Sequence, residues 1–423
     1  MELFGKTANQ IGIESGFIKR KRKIDGASFA KAMVFGFQSN PKQTYSELSQ
    51  SCAAAGVKIS NQGIEQRMDE KAAKFLQQLL NKVIQQKIMG DEIDLPLIKQ
   101  FNGIYLRDSS VVSLPKELKE IWPGVGGSAG ENAAVKLQVS INYTTGQLHG
   151  PILHSGRTHD QESPFHTISL PKRALRLADL GFFDLDQLLE DEQNGIYWLT
   201  RLKTGTVVHD GNGNRLDLLR WLQALEESQT ELPIYLGAKH RIPCRLLIQK
   251  VPSEVAKQRR KQLNESVRKK QRPASKASLE LVRWTLLVTN VDKEKLSIDE
   301  ALMLIRVRWQ IELLFKLWKS YALIDEWRSK KPWRILCELY AKLIGVVISH
   351  WIQILGIWGN PEHSLFRSYR VIQKFSLPIS FLLLDKLLLE QLFTLIFSCL
   401  QSGCNIDSRK LKPNTYQFFL STS

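Results

Sequence analysis

Apolar residues recur at helical spacing near both ends of this 423-residue chain and follow a different period between them. Residues 1–95, and again the stretch from about 330 onwards, have the three-to-four-residue spacing that is typical of amphipathic helices. From about residue 100 the period shortens, and Val135, Leu137 and Val139 alternate with polar residues as in a β-strand. The pattern therefore predicts an α/β protein with helical regions on either side of a sheet-containing centre.

Short strands separated by turns are predicted through the centre of the chain. They are expected at 103–112, 133–143, 147–154, 174–179 and 197–203, the first three as an antiparallel meander with turns near 126–127 and 145–146. Helices are predicted near 163–173 and at 182–191, the second with Asp184 as its N-terminal cap.

A second group of short strands is expected at 206–208, 234–236, 244–249 and 283–289. A basic segment from Lys257 to Lys276 interrupts this group, and it is too polar for a core, so it should face solvent or phosphate groups. We therefore divide the chain into a helical region at 1–95, a central domain at 96–335 with a β-rich insertion at about 204–290, and a helical region at 336–423.

The segment 44–69 has the pattern of a helix-turn-helix. A helix is stopped at Gly56, because glycine favours the left-handed conformation that follows a helix, and Ser60 is placed to cap the next helix. Amide and guanidinium groups read base edges in DNA. Four such side chains would face a groove: Asn61, Gln62, Gln66 and Arg67. Many helical hairpins share this pattern, so the hypothesis of DNA contact depends on other observations.

The charge balance supports a polyanionic partner. The chain has 59 Lys and Arg against 42 Asp and Glu, a net charge of +17 at pH 7. Nucleic acid is the leading partner for such an excess, and an anionic membrane surface is the competing one. The apolar stretches at 343–358 and 379–400 are respectively short and interrupted by charges, so we expect buried helices and no membrane span. The five cysteines contain no C-x-x-C pair, which argues against a thiolate zinc site and favours a reducing compartment.

The stretch from Arg308 to Lys319 is predicted to form one amphipathic helix. Arg308, Glu312, Lys316 and Lys319 fall along one polar stripe of that helix. Ion pairs between Glu312 and its basic neighbours on a solvated face are the ordinary explanation of such a stripe. The other explanation is a catalytic acid beside phosphate-binding bases, and it depends on acids upstream.

Two upstream acids stand where a sheet could bring them near Glu312. Asp108 lies inside an apolar strand, where an unpaired carboxylate is costly to bury, and Asp179 ends a later strand. Three carboxylates make an oxygen-only site that suits Mg²⁺ or Mn²⁺. Two such ions about 3.5–4 Å apart can assist both oxygens of an in-line phosphoryl displacement. The spacing is compatible with convergence of the three acids but does not establish it.

Other polar residues near these acids have ordinary explanations. Asp184 and Asp186 are expected to cap a helix, and Asp160 is expected to be a surface charge. His154 and His159 lack the spacing of zinc ligands, so we expect solvated or core histidines.

The order and spacing of the three acids resemble those of bacterial insertion-sequence transposases of the DDE class. The resemblance is to the insertion sequence 4 family, whose glutamate lies in the signature Tyr-x2-Arg-x3-Glu-x6-Lys. Arg308, Glu312 and Lys319 match the last three positions, and Ile305 stands in place of the tyrosine. The resemblance also includes Asp108 and Asp179 and extends over roughly residues 30–350.

The resemblance implies a ribonuclease H-like catalytic core with a β-rich insertion. It implies that Asp108, Asp179 and Glu312 hold two Mg²⁺ ions, for which Mn²⁺ can substitute. In relatives, basic residues of the signature helix grip phosphates beside the scissile bond, and a tryptophan of the insertion takes up a base flipped during hairpin formation. Arg308 and Lys319 would take the phosphate-binding role, helped by Lys316 one turn after Glu312, and Trp284 stands where the tryptophan would be. The alternative for Trp284 is a core tryptophan.

The implied activity is cut-and-paste DNA transposition with strand cleavage and 3′-OH strand transfer. The implied partners are double-stranded DNA, as terminal inverted repeats and as target, and a second copy of the chain in a synaptic complex. The C-terminal region would serve dimerisation or DNA contact, and the setting would be the nucleoid in bacterial cytoplasm. Two alternatives stay open: a ribonuclease H-like nuclease without strand transfer, and a non-catalytic DNA-binding protein derived from a transposase.

Overall fold

A computed structural model describes residues 2–20, 24–126, 132–162, 165, 169–269, 273–360 and 362–407. The described chain forms two compact units. The first comprises the described residues within 1–94, 108–158 and 310–416, and the second those within 95–107 and 159–309. Both units are discontinuous along the chain.

The helices of the described residues are α1 (Lys6–Glu14), α2 (Gly26–Ser39), α3 (Tyr45–Ala54), α4 (Asn61–Arg67), α5 (Glu70–Ile84), α6 (Pro96–Lys99), α7 (Leu185–Gln193), α8 (Leu218–Ala224), α9 (Ser253–Lys269), α10 (Lys276–Leu281), α11 (Ile298–Val307), α12 (Trp309–Ser320), α13 (Pro332–Ile357), α14 (Leu365–Leu382) and α15 (Lys386–Gly403). The strands are β1 (Ile104–Leu114), β2 (Ala133–Asn142), β3 (Leu148–Ser155), β4 (Leu175–Ala178), β5 (Tyr197–Arg201), β6 (Val208–His209), β7 (Gln229–Leu236), β8 (Ile242–Lys250) and β9 (Trp284–Thr289).

The second unit is organised around a mixed sheet. Its strands are hydrogen-bonded in the order β1-β4-β5-β9-β8-β7-β6, to which β1 contributes its first four residues. The neighbours β1, β4 and β5 are parallel, with Arg107 opposite Ala178 and Leu177 opposite Leu199, whereas the remaining pairs are antiparallel. Parallel strands end at the same edge of a sheet, and the residue that directly follows β4 at that edge is Asp179.

A charged cluster is buried beneath this edge of the second unit. The Arg176 guanidinium donates to both carboxylate oxygens of Asp191, at 2.6 and 2.8 Å. Arg107 is also buried and donates to the Phe165 carbonyl. Burial lowers the pKa of Arg107 to about 9, with the charge of Arg176 acting in the same direction. Burial likewise raises the pKa of Asp191, against the opposing effect of the Arg176 charge.

The first unit is built around the long buried helix α13. Helices α2 and α5 pack against it, and α14 packs against both α2 and α13. The rest of β1 lies in this unit with β2 and β3, in the strand order β3-β2-β1. Every residue of β2 is buried, and β2 pairs antiparallel with β3. The helices on either side of the central segment therefore share one core, because amphipathic helices far apart in sequence bury their apolar faces together.

Only α13, among the described helices, is long and apolar enough in composition to cross a membrane. The most apolar part of α13 is 94% buried inside the protein. A core helix of a soluble domain has this combination of composition and burial. The second predicted apolar stretch is divided between α14 and α15.

Most predicted elements are confirmed within about two residues at their ends, and Asp184 caps α7 through the backbone amides of Asp186 and Gln187. The helix predicted near 163–173 is wrong for 169–173, which form a loop with Arg173 in the left-handed region (φ 65). Residues 163–164 and 166–168 of that prediction lie outside the described residues, as do Gly127 of the predicted turn and residues 270–272 of the basic segment.

The turn between β2 and β3 depends on Gly146. Its φ of +75° is a conformation that other residues rarely adopt, and a Cβ at this position would lie 2.6 Å from the Trp358 ring. The Gly146 carbonyl is 2.9 Å from Nε2 of His350, which is buried on α13. The turn thus joins β2 and β3 to the central helix of the first unit.

Burial of His350 should make stability depend on pH. Burial lowers the pKa of His350 from 6.5 to about 4, so the unfolded chain binds this proton more readily. Neutral His350 therefore contributes to the free energy of unfolding above pH 6.5. This contribution, at most about 3 kcal/mol, is lost as pH falls towards 4. We expect the thermal midpoint to fall less between pH 7.5 and 5 in His350→Gln, which keeps a donor for Gly146. Equal falls in both proteins would contradict the assignment.

Candidate active site

Asp179 lies at the carboxyl end of β4 in the second unit. It has an extended backbone (φ −80°, ψ 166°) and precedes a short 3-10 turn, Leu180–Phe182. Its side chain is 44% exposed and makes no capping hydrogen bond to that turn. The nearest cation that the structure shows is Arg308, with Nη2 at 3.9 Å from Asp179 Oδ1. An accessible carboxylate in this position can bind a cation whose other ligands are water molecules or phosphate oxygens.

Arg308 occupies the junction between two helices. It follows α11 as its C-terminal cap with helical backbone angles (φ −52°, ψ −30°), and α12 begins at the next residue. The helix predicted from Arg308 to Lys319 is thus confirmed within one residue at each end. Ile305, which stands at the tyrosine position of the signature, belongs to α11 and is half-buried.

A further acid lies beside the Asp179 turn. A Cβ on Gly181 would lie 3.3 Å from Asp160 Oδ2, so the Asp160 carboxylate is near the backbone of the turn. Asp160 is half-buried in its own short turn, Asp160–Glu162. Its partial exposure is compatible with the predicted surface charge. No sequence signal marks this proximity, since strand β4 lies between the two segments along the chain.

Asp108 is the fifth residue of β1, in the part of the strand that belongs to the first unit. It is half-buried, and the backbone amide of Ser109 donates to Asp108 Oδ1 at 2.8 Å. In the same unit, Lys319 Nζ donates to the Val111 carbonyl at 3.1 Å, three residues further along the strand. This contact brings the C-terminal part of α12 against the strand that carries Asp108.

The other signature residues lie on α12. Glu312 is half-buried, and Lys316, one turn later, is exposed. The opposite side of the helix is anchored in the core by Ile311, Leu314 and Trp318, which are at most 2% exposed. The amphipathic pattern predicted for this stretch is confirmed.

A divalent cation is compatible with the donor set of these acids. Asp108, Asp179 and Glu312 offer only carboxylate oxygens, which suit hard cations, and all three are at least partly exposed. Among the described residues, no group of three or more His, Cys, Asp or Glu side chains is arranged to hold a metal ion.

Trp284, proposed to receive a flipped base, is the first residue of β9 and is only 8% exposed. It belongs to the same buried cluster as Trp198 and Leu246 in the second unit, and the Lys250 ammonium lies 5.6 Å from the centre of its ring. A nucleotide base could reach the ring only after this packing changes.

The helix-turn-helix residues lie in the first unit. Gly56 has a φ of +87° after α3, and the Ser60 hydroxyl accepts from the Gly63 amide at the start of α4, so both predicted end signals are confirmed. Asn61, Gln62 and Gln66 are exposed on α4. Arg67 is half-buried and donates to the Gly63 carbonyl at 3.1 Å. The three amide side chains are therefore accessible to a partner.

Comparison with known proteins identifies the family. Residues 99–348 match the transposase DDE domain, and this range includes all three candidate carboxylates. The chain belongs to this family. The transposase is 29% identical over 360 residues to the transposase of insertion sequence element IS231F from Bacillus thuringiensis subsp. israelensis, which covers 80% of this chain and 75% of that protein.

A second relative is the transposase of element IS1151 from Clostridium perfringens, 27% identical over 363 residues, with 81% of this chain and 76% of that protein covered. A solved structure of the piggyBac transposase synaptic complex with hairpin DNA aligns with a TM-score of 0.45 and 11% identity, over 97% of this chain and 85% of that chain. The protein is thus a bacterial insertion-sequence DDE transposase, an enzyme that acts on DNA, and its family implies use of a divalent metal.

Proposed function

We propose that this transposase cuts DNA at the ends of its element and joins the freed 3′ ends to target DNA. The observation that carries the proposal is that Asp108, Asp179 and Glu312 all lie inside the matched domain, 99–348. In the first step, a water oxygen attacks the scissile phosphorus and the 3′ oxygen leaves as a hydroxyl. In the second, that 3′-OH attacks a target phosphodiester, and a target 3′-OH leaves.

We infer that Asp108, Asp179 and Glu312 are the ligands of two Mg²⁺ ions, for which Mn²⁺ can substitute. When bound, the cations activate the attacking oxygen and stabilise the leaving one. The Ser109 amide, 2.8 Å from Asp108 Oδ1, fixes the orientation of that carboxylate. Arg308, with Nη2 3.9 Å from Asp179 Oδ1, partly balances the charge of that carboxylate.

Three basic residues are proposed to bind phosphates near the scissile bond. Arg308 combines a guanidinium, which suits bidentate phosphate contacts, with its position beside Asp179. Lys319 uses one hydrogen bond to Val111 and retains further N–H groups for a phosphate. Lys316 is exposed on the same helix as Glu312. The proposed base-receiving role of Trp284 requires the ring to leave its core position.

The strand order supports a ribonuclease H-like core. The second unit contributes the parallel strands β1, β4 and β5, and the first contributes the antiparallel pair β2 and β3. We assign the segment at about 204–290, which contains β6, β7, β8 and α9, as the β-rich insertion. The C-terminal helices are proposed to serve dimerisation or DNA contact, and the active assembly to be a homodimer on paired ends in the bacterial cytoplasm.

Side chains of α4 are proposed to read the terminal inverted repeat. One bidentate contact between an amide and adenine is worth about 1–3 kcal/mol of discrimination. We therefore expect Gln66→Ala to lower the preference for element-end DNA over arbitrary DNA by about five- to hundredfold. Competition binding assays measure this ratio, and Gln85→Ala, an exposed glutamine after α5, is the matched control. An unchanged preference in Gln66→Ala, Gln62→Ala and Asn61→Ala would exclude α4 as the reading helix.

The proposed reaction is tested with purified protein, Mg²⁺ and DNA carrying the element ends. We expect nicking at the ends and joining of a pre-cut 3′-OH end to a target plasmid, both removed by EDTA. Nicking without joining would indicate a nuclease. Binding without either reaction would indicate a non-catalytic DNA-binding protein.

A further inference from the structure

Helix α9 presents a stripe of basic side chains to solvent. An open groove of about 430 Å³ runs along it, and the groove is lined by Lys257, Arg260, Lys261, Asn264, Glu265 and Arg268. The six lining positions fall at i, i+3, i+4, i+7, i+8 and i+11, which places them on one side of a helix. All of them are exposed.

The other side of α9 attaches it to the second unit. Ala256, Arg259, Leu263 and Val267 are half-buried, and none of the described residues of this helix is fully buried. The Arg259 guanidinium donates to the Trp284 carbonyl at 3.0 Å and to Thr285 Oγ1 at 3.1 Å. These contacts fix which side of the helix faces outwards.

The exposed side carries an excess of positive charge. Among the side chains of α9 that the structure describes, four basic ones (Lys257, Arg260, Lys261 and Arg268) and two acidic ones (Glu254 and Glu265) are exposed, an excess of two. Lys257 is paired with Glu254 at 2.9 Å, a contact that solvent weakens because both side chains are about three-quarters exposed. Among the described residues, no ion pair is formed by Arg260, Lys261 or Arg268. Packing in the fold therefore does not account for this concentration of charge.

We propose that the outer side of α9 binds the phosphate backbone of duplex DNA, a surface additional to α4 and to the signature residues. Lys257 and Arg268 are eleven residues apart, which is about 16 Å along a helix. One DNA strand presents about five phosphates over that length. The contacts position the duplex and do not read its sequence, because phosphates are the same at every step. This inference rests on the proposed action on DNA.

The test compares three full-length proteins on a duplex of about three helical turns (about 30 base pairs) and arbitrary sequence. The first is the parent. The second carries Lys257→Gln, Arg260→Gln, Lys261→Gln and Arg268→Gln. The third removes the same charge from exposed positions elsewhere in the second unit, by Lys203→Gln, Arg215→Gln, Arg220→Gln and Lys239→Gln. Binding constants are measured by fluorescence anisotropy over a series of KCl concentrations, and thermal melting checks that all three are folded.

Each phosphate contact contributes about −0.9 to the slope of log Kobs against log[KCl], so the slope is steeper when more phosphates are bound. We expect the α9 variant to have a slope less steep by about 3 to 4, with the control close to the parent. Equal slopes in the parent and the α9 variant would overturn the proposal. It would also be overturned if the slope of the control became less steep by the same amount as that of the α9 variant, because the effect would then come from net charge alone. A parent that neither binds nor cuts DNA would instead overturn the proposed function.

Discussion

Replacing Asp179 by asparagine should abolish metal-dependent cleavage and leave DNA binding intact. The substitution keeps the size of a half-exposed side chain but removes the charge that a divalent cation requires. The variant loses several kcal/mol of transition-state stabilisation, so its cleavage rate should fall by at least about a thousandfold. The initial rate of Mg²⁺-dependent plasmid nicking measures this loss, and Asp108→Asn and Glu312→Gln should behave in the same way.

Asp186→Asn is the matched control for this prediction. Asp186 lies seven residues further on in the same unit, its side chain is 86% exposed, and its carboxylate is paired with His240. Its replacement should leave nicking unchanged. Cleavage by Asp179→Asn within about tenfold of the parent would exclude Asp179 as a metal ligand, since a tenfold change is only about 1.4 kcal/mol.

Replacing Asp191 by asparagine should destabilise the second unit severely. Asp191 and Arg176 are 1% and 5% exposed and share two hydrogen bonds of 2.6 and 2.8 Å. Without the carboxylate, two buried guanidinium groups, Arg176 and Arg107, would lack a compensating negative charge. Removing one partner of a buried pair costs about 3–5 kcal/mol, which is comparable with the whole stability of many domains. Urea unfolding followed by circular dichroism measures the loss.

Glu190→Gln is the control for the buried pair. Glu190 precedes Asp191 on α7 but is exposed, and its contact with Gln187 is a weak one of 3.3 Å. The free energy of unfolding of this variant should lie within about 0.5 kcal/mol of that of the parent. A stability of Asp191→Asn equal to that of Glu190→Gln would contradict the assignment of a buried, mutually dependent pair.

The elements of the sheet and of the signature helix were predictable because their signals are local. Val135, Leu137 and Val139 alternate over the length of β2, and Ile311, Leu314 and Trp318 recur at the period of α12. Gly56 likewise predicted the end of α3, because it adopts the left-handed conformation that follows a helix. Ser60 predicted the start of α4, because its hydroxyl accepts a hydrogen bond from a backbone amide of the first turn. The loop at 169–173 was mistaken for a helix because no local feature records that the chain must enter β4 there.

The sequence by itself determined the family of this protein. The identity and spacing of Asp108, Asp179, Arg308, Glu312 and Lys319 indicated a DDE transposase, and the matched domain confirmed the family. Such a pattern is readable in the sequence because it consists of residue types at fixed spacing within short segments.

The tertiary structure decided which residues are neighbours. It placed Arg308 beside Asp179, Asp160 against Gly181 and Trp284 in a core, and it joined α2 and α5 to α13 across about 300 residues of chain. These contacts depend on how separate elements pack to bury apolar surface, and packing partners that are distant along the chain leave no periodic signal in either segment. The basic stripe of α9 is of the same kind, because Arg259 settles which side of that helix meets solvent.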